Sequence, residues 1–227
     1  MYLDKKPELV AFDLDGTLVD SAPDIAHCID LMFRDLGLHA TDLRQVRNWM
    51  GDGVERLIKR ALTGDMNGEP AAGLYAKALD EFLAAYAQHY AVKTKVYPGA
   101  EKVLKYLIKE EIPLCCITNK RRQFTEPLLE RLKLTQYFAC VVCGDDLPER
   151  KPDPKPLLHA ATLLGANPKR SLMVGDSAND VEAARAAGFK MIAVSYGYNQ
   201  GVEIGLSRPD FIVDSLSELP HFVYNLF

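Results

Sequence analysis

Short apolar runs, each ending in or near polar residues, recur through the chain, and helical patterns separate most of them. They are residues 8–12 ending at Asp13, 112–117 ending at Thr118, and 139–143 ending near Asp145. Residues 171–174 ending at Gly175-Asp176, then 189–194 and 210–213, complete the set. Apolar residues at helical spacing lie between them: Ala100, Val103, Leu104, Leu107 and Ile108; Leu128, Leu129 and Leu132; Leu157, Leu158, Ala161 and Leu164. Strands this short, alternating with helices, predict an α/β fold with a parallel sheet covered on both faces. Ligands in such sheets bind outside the carboxyl ends of the strands, where these polar residues fall.

Residues 21–96 break the alternation. They show no strand pattern but three amphipathic stripes. The first is Ile25, Cys28, Ile29, Met32 and Leu36, closed by Gly37. The second is Val54, Leu57, Ile58, Ala61 and Leu62; the third is Tyr75, Leu79, Phe82, Tyr86 and Tyr90. Ser21-Ala22-Pro23-Asp24 has the form of a capping box. The expected organisation is a core of residues 1–20 and 97–227 with a helical domain, 21–96, inserted after the first strand. Hinges are expected near residues 19–21 and 92–98.

A hydrophobic content of 48% supplies a packed core, and a formal charge of −4 offers no basic stripe for a nucleic acid. Lys120-Arg121-Arg122, the densest basic run, reads as the solvated start of a helix. Residues 1–7 contain no apolar signal-peptide core, and no stretch reaches the roughly 20 apolar residues of a membrane span. Five cysteines, an odd number, suit a reducing compartment, so a cytoplasmic protein is expected. Cys140 and Cys143 form a C-x-x-C within an apolar run, where alternation sends the thiols to opposite faces. Buried thiols acting as small hydrophobes are expected there, not a redox or zinc pair. Nothing sets the oligomeric state, and monomer and homodimer both stay open.

The strand ends carry the chemistry. Asp13 and Asp15 sit two residues apart, Gly16 permits a sharp turn, and Thr17 is placed to brace it. Asp176 and Asp180 bracket the end of a later strand and the start of a helix. Two like charges about 4 Å apart repel by roughly 4 kcal/mol at an effective dielectric of about 20. Converging carboxylates therefore call for a cation, and an all-oxygen donor set favours Mg²⁺ over zinc. Thr118 and Asn119 offer a hydroxyl and an amide able to donate to phosphoryl oxygens. Lys151, before the stiff Pro152-Asp153-Pro154, offers a cation to offset repulsion between an attacking carboxylate and a phosphate. Each piece alone also fits a cap, a turn or a surface lysine; their joint order is what points to a site.

Asp13-Leu14-Asp15-Gly16-Thr17-Leu18, Thr118-Asn119, Lys151-Pro152 and Gly175-Asp176-Ser177-Ala178-Asn179-Asp180 resemble the motifs of the haloacid dehalogenase superfamily. The resemblance spans nearly the whole chain and implies a Rossmann-like core with an α-helical cap. It implies Asp13 as a nucleophile forming an aspartyl-phosphate, and Asp15 as the acid that protonates the leaving oxygen and then activates water. It also implies Mg²⁺ held by Asp13, Asp176 and the Asp15 backbone carbonyl, with Asp180 supporting. Thr118, Asn119 and Lys151 would hold the transferred phosphoryl group. Asp15 argues against the dehalogenase branch, which lacks a carboxylate there.

In the helical insertion, Arg47-Asn48-Trp49-Met50-Gly51-Asp52-Gly53 places two glycines around an acid. Gly51, Asp52 and Gly53 read either as a loop approaching a ligand or as a plain helix–helix turn. Arg47 either pairs with a substrate carboxylate or lies on the surface, and Trp49 reads as cap core. With residues 151–158 and 174–188, this loop resembles the phosphoglycolate phosphatase branch of the family. That resemblance implies a small phosphorylated metabolite, 2-phosphoglycolate, as substrate. The alternatives are pyrophosphate, nucleotides or sugar phosphates on the same core, or a phosphomutase of the β-phosphoglucomutase type. A receiver domain, which takes phosphate on Asp to switch partners, would lack both the insertion and Asp15.

Overall fold

The computed structural model describes residues 6–39 and 42–227. The signal-peptide reading of residues 1–7 thus falls mostly outside the described residues. The first apolar run forms β1 (Leu9–Phe12), buried at every position. That is the mark of a central parallel strand covered on both faces. A two-residue strand, β2 (Val19–Asp20), leads into four helices: α1 (Ala22–Asp35), α2 (Leu43–Trp49), α3 (Val54–Thr63) and α4 (Ala72–His89). The chain returns through β3 (Lys95–Val96) to α5 (Ala100–Lys109), β4 (Leu114–Ile117), α6 (Arg122–Arg131) and β5 (Cys140–Val142). Then follow α7 (Lys155–Leu164), β6 (Ser171–Gly175), α8 (Ala178–Ala187), β7 (Lys190–Val194), β8 (Phe211–Val213) and α9 (Leu219–Phe222).

Six strands form one parallel sheet in the order β5-β4-β1-β6-β7-β8. Alternation along β1 divides the core: Val10 and Phe12 face one apolar layer with Leu104 and Leu107, Leu9 and Ala11 the other with Leu157 and Val181. The chain builds outward from β1 on one side and then from β6 on the other, so a switch point lies beside β1. Phe12 pairs with Cys116 of β4 and with Val174 of β6, which brings the residues after all three strands out together.

Helices α1 to α4 have an apolar cluster of their own, including Ile29, Met32, Trp49, Ile58 and Phe82. The chain enters and leaves them through an antiparallel pair, Val19 with Val96 and Asp20 with Lys95, where the sequence suggests hinges.

Several local expectations are overturned. Ser21 makes no side-chain cap on α1. Its hydroxyl donates to Asp15 instead, and Asp24 is buried, accepting hydrogen bonds from the N–H groups of Val92, Lys93 and Thr94 and the Thr94 hydroxyl. Arg47 to Trp49 are not loop but the end of α2; only the residues after them turn. Ile108 and Leu158 lie exposed at the edges of their stripes. The expectation for the C-x-x-C holds: Cys140 and Cys143 are both free thiols, with Cys140 against its register partner Cys115 of β4. No described helix is long and apolar enough to cross a membrane.

Candidate active site

Asp13 follows β1, and its N–H continues the ladder to Val174 O at 2.9 Å. The next residues turn back, with Leu14 O accepting from Leu18 and Val19 at 2.9 and 3.0 Å. Gly16 holds this turn at φ +95°, and a Cβ there would stand 2.3 Å from Asp176 Oδ2. Gly197, beyond β7, approaches from the other side, where a Cβ would lie 2.1 Å from Asp176 Cβ. Both positions must lack a side chain for Asp176 to fit. Thr17 does more than brace its own turn: its hydroxyl donates to Asp176 Oδ1 at 2.9 Å, while Tyr198 N–H donates to Oδ2 at 2.6 Å.

Oxygens of Asp13, Asp176 and Asp180 lie within 4.8 Å of one another, all three residues buried. Lys151, 3% exposed, directs its ammonium to Asp13 Oδ1 (2.6 Å), Asp180 Oδ1 (2.7 Å) and Ile117 O (2.7 Å). Burial opposes the charge on Lys151, but Asp13 and Asp180 outweigh it and hold the ammonium above its ordinary range. Burial also pushes Asp13 up to about 7, against the pull of Lys151 and with the push of Asp180. Asp176 is raised strongly, by burial and then by Asp13 and Asp180. One ammonium bonded to two of the three buried carboxylates, Asp13 and Asp180, leaves Asp176 with neutral donors alone. The ligand atoms on offer in the cluster are carboxylate oxygens, so the donor set fits Mg²⁺.

Asp180 is heavily engaged, its Oδ2 accepting from the Asp176 and Ser177 N–H groups and the Ser177 hydroxyl. It shapes the α8 end of the cluster, with a capping box at Ser177. The Asp15 carboxylate stands outside the acidic group and meets the Lys120 ammonium at 3.0 and 3.2 Å. The solvated-run reading of Lys120 is therefore wrong. The Lys120 side chain is only 7% exposed, and although burial opposes its charge, Asp15 and then Tyr86 hold its ammonium above the ordinary range. Arg121 pairs with Glu55 of α3 at 2.6 Å, and Arg122 with Asp146 and Glu126.

Thr118 is 4% exposed and lines the cavity, its oxygen accepting the Lys120 N–H at 3.2 Å. Asn119 also lines it, but its amide is occupied. Nδ2 donates to Lys151 O (2.9 Å) and Gly51 O (2.8 Å), and Oδ1 accepts Lys151 N–H (3.0 Å). The expected donation of this amide to a phosphoryl group gives way to a brace joining β4, Lys151 and the helical insertion.

Of the insertion residues singled out by sequence, Gly51 and Gly53 line the cavity; Arg47 and Asp52 do not. Arg47 binds Asp20 at 3.0 Å, and Tyr198 donates to the same carboxylate. Asp52 accepts from Arg60, from Asn179 at 2.6 Å and from Gln200 at 2.9 Å, tying the loop to the core. Buried Arg60 also donates to Trp49 O (2.8 Å) and Met66 O (3.0 Å). Sequence reasoning missed Lys120, Tyr198, Arg60 and Tyr86. Lys120 and Tyr198 each follow a strand end, a signal that was open to use; the two insertion residues sit on helical faces and carry no such mark.

The family model described as haloacid dehalogenase-like hydrolase matches residues 10–194. A phosphoglycolate phosphatase of Nitrosococcus oceani is 50% identical over 219 residues, covering 96% of this chain and 97% of that protein. One from Thiobacillus denitrificans is 43% identical, covering 92% of each. A crystal structure described as a predicted phosphoglycolate phosphatase of Haemophilus somnus superposes with a TM-score of 0.90 at 32% identity, covering 95% of this chain and 97% of that one. A likeness that runs from the first strand through β7, at up to half identity, leads to one conclusion: this chain belongs to the haloacid dehalogenase-like hydrolase family.

Proposed function

We propose that this phosphoric monoester hydrolase is a Mg²⁺-dependent phosphatase for small phosphorylated metabolites, 2-phosphoglycolate foremost, working through an aspartyl-phosphate on Asp13. The observation that carries the reading is Lys151, which bridges Asp13 and Asp180 beside Asp176 at the mouth of β1. Relatives up to 50% identical are named for phosphoglycolate.

Asp13 attacks phosphorus and takes the phosphoryl group, dividing one slow hydrolysis into two easier steps. Lys151 offsets the repulsion between this carboxylate and the arriving phosphate, and Thr118 donates to a phosphoryl oxygen. Asp15 gives a proton to the departing ester oxygen and then takes one from the water that cleaves the acyl phosphate. Mg²⁺ bound by Asp13, Asp176 and the Asp15 carbonyl, with Asp180 behind them, would neutralise phosphoryl charge and align the attack. Residues 21–96 act as a cap over the core of 1–20 and 97–227, excluding bulk water. Gly51 and Gly53 bring its loop to the cavity wall.

The test is phosphate release with Mg²⁺ across 2-phosphoglycolate, sugar phosphates, nucleotides and pyrophosphate. Release fastest from 2-phosphoglycolate is expected; isomer formation from a sugar phosphate without net release would replace this reading with a mutase.

A further inference from the structure

Cations at the cavity differ in how they are committed. Lys151 directs its ammonium at Asp13, Asp180 and Ile117 O, and Arg121 is held by Glu55. Lys120 differs: its ammonium meets the two oxygens of Asp15 and stands beside Tyr86, 5.0 Å from the centroid of that ring. Tyr86 is 3% exposed and lines the same cavity, yet its hydroxyl makes no well-formed hydrogen bond. A buried hydroxyl left in that state is an unmet donor awaiting an acceptor. Phe82 and Phe124 pack against the Tyr86 ring, and Ile25 and Leu57 add apolar surface to the same cavity.

We propose that Lys120 and Tyr86 form the specificity site for the leaving portion of the substrate, and that they take a carboxylate carried close to the ester oxygen. This rests on the phosphatase reading above and deepens it. Asp15 acts on the ester oxygen, so the group beside Asp15 lies on the leaving-group side. An ammonium and a phenol offer donors, and the apolar wall offers no acceptors. That combination suits a small anion and leaves sugar hydroxyls unpaired. In the structure Lys120 holds Asp15. A substrate carboxylate replaces that partner, so Lys120 keeps a counter-charge while Asp15 is released toward the ester oxygen. Recognition of the carboxylate thereby frees the Asp15 side chain from its ion pair.

The test compares 2-phosphoglycolate, its amide and ethyl phosphate as substrates of the full chain with Mg²⁺. Wild type is expected to favour the carboxylate over the amide by about 100-fold in kcat/KM, the scale of a buried charge pair. Lys120→Met should collapse that ratio, mainly through KM for 2-phosphoglycolate, and Tyr86→Phe should reduce it several-fold while keeping the ring packing. Equal losses on all three substrates would reduce Lys120 to positioning Asp15 and overturn the proposal. Wild-type hydrolysis of ethyl phosphate without carboxylate preference would overturn it too, leaving the phosphatase reading intact. A wild type that releases phosphate from none of the esters would overturn both. Should Lys120→Met fail to fold, inhibition of wild-type ethyl phosphate hydrolysis by glycolate but not glycolamide carries the same decision; equal inhibition, or none, overturns it.

Discussion

Lys151 brings one ammonium to Asp13, Asp180 and the Ile117 carbonyl in a buried site. Removing one partner of a buried ion pair costs about 3–5 kcal/mol, because the remaining charge stays unpaired. Lys151→Met should therefore lower Tm sharply, and millimolar Mg²⁺ should recover part of the loss; thermal unfolding with and without the metal checks both. Asp13→Asn works in the opposite sense, removing a charge from a self-repelling cluster. Turnover should fall to background with Tm unchanged or higher, read by phosphate release and thermal melts. Asp13 and Asp180 were legible because each comes after an apolar run that announces a strand, and Lys151 because the stiff Pro152-Asp153-Pro154 follows it. Asn119 was legible in position but not in role: its partners, Lys151 and Gly51, come from distant parts of the chain. Lys120 was misread for the same reason. A basic run looks solvated until a neighbouring strand delivers Asp15.

Among the elements, α1 depends on Asp24 in a way its sequence conceals. The pattern from Ser21 to Asp24 imitates a helix cap, yet the carboxylate gathers the backbone of Val92, Lys93 and Thr94, fixing the end of α4 against the start of α1. Hydrogen bonds to a buried charge contribute about 1.5–3 kcal/mol each, and their N–H donors would be left unsatisfied. Asp24→Ala should destabilise the chain by about 3 kcal/mol or more, measured by denaturant unfolding, with β3 and the end of α4 losing hydrogen-exchange protection first. The six strands of the sheet were legible to within two residues, since the central ones are uninterrupted buried apolar runs and the partly exposed edge strands β5 and β8 are apolar in sequence too. β2 and β3 were not; two residues are too few for any period to appear. α2 was lost because its buried face amounts to Val46 and Trp49.

Across the whole molecule, helices and sheet meet through polar contacts that ring the cavity: Asn119 to Gly51, Asn179 to Asp52, and Arg121 and Arg150 to Glu55. Partly exposed pairs of this kind contribute modestly one by one, which suits the cap role proposed above. Glu55→Gln should weaken closure, raising KM for substrate a few-fold with little change in Tm; steady-state kinetics and a melt decide. The parallel sheet and the existence of a helical insertion were legible in the order of patterns along the chain. How the insertion docks was not, because it depends on pairs that only the folded chain brings together.

Val19 pairs with Val96, so the helical insertion joins the sheet at a single backbone-paired doorway. Nothing in the register of β1, β4 and β6 passes through it. The insertion is therefore a replaceable cassette. A different helical unit spliced between the same two short strands would keep the register that sets Asp13 beside Asp176, and would need only to replace the braces that Ser21 and Gly51 now supply.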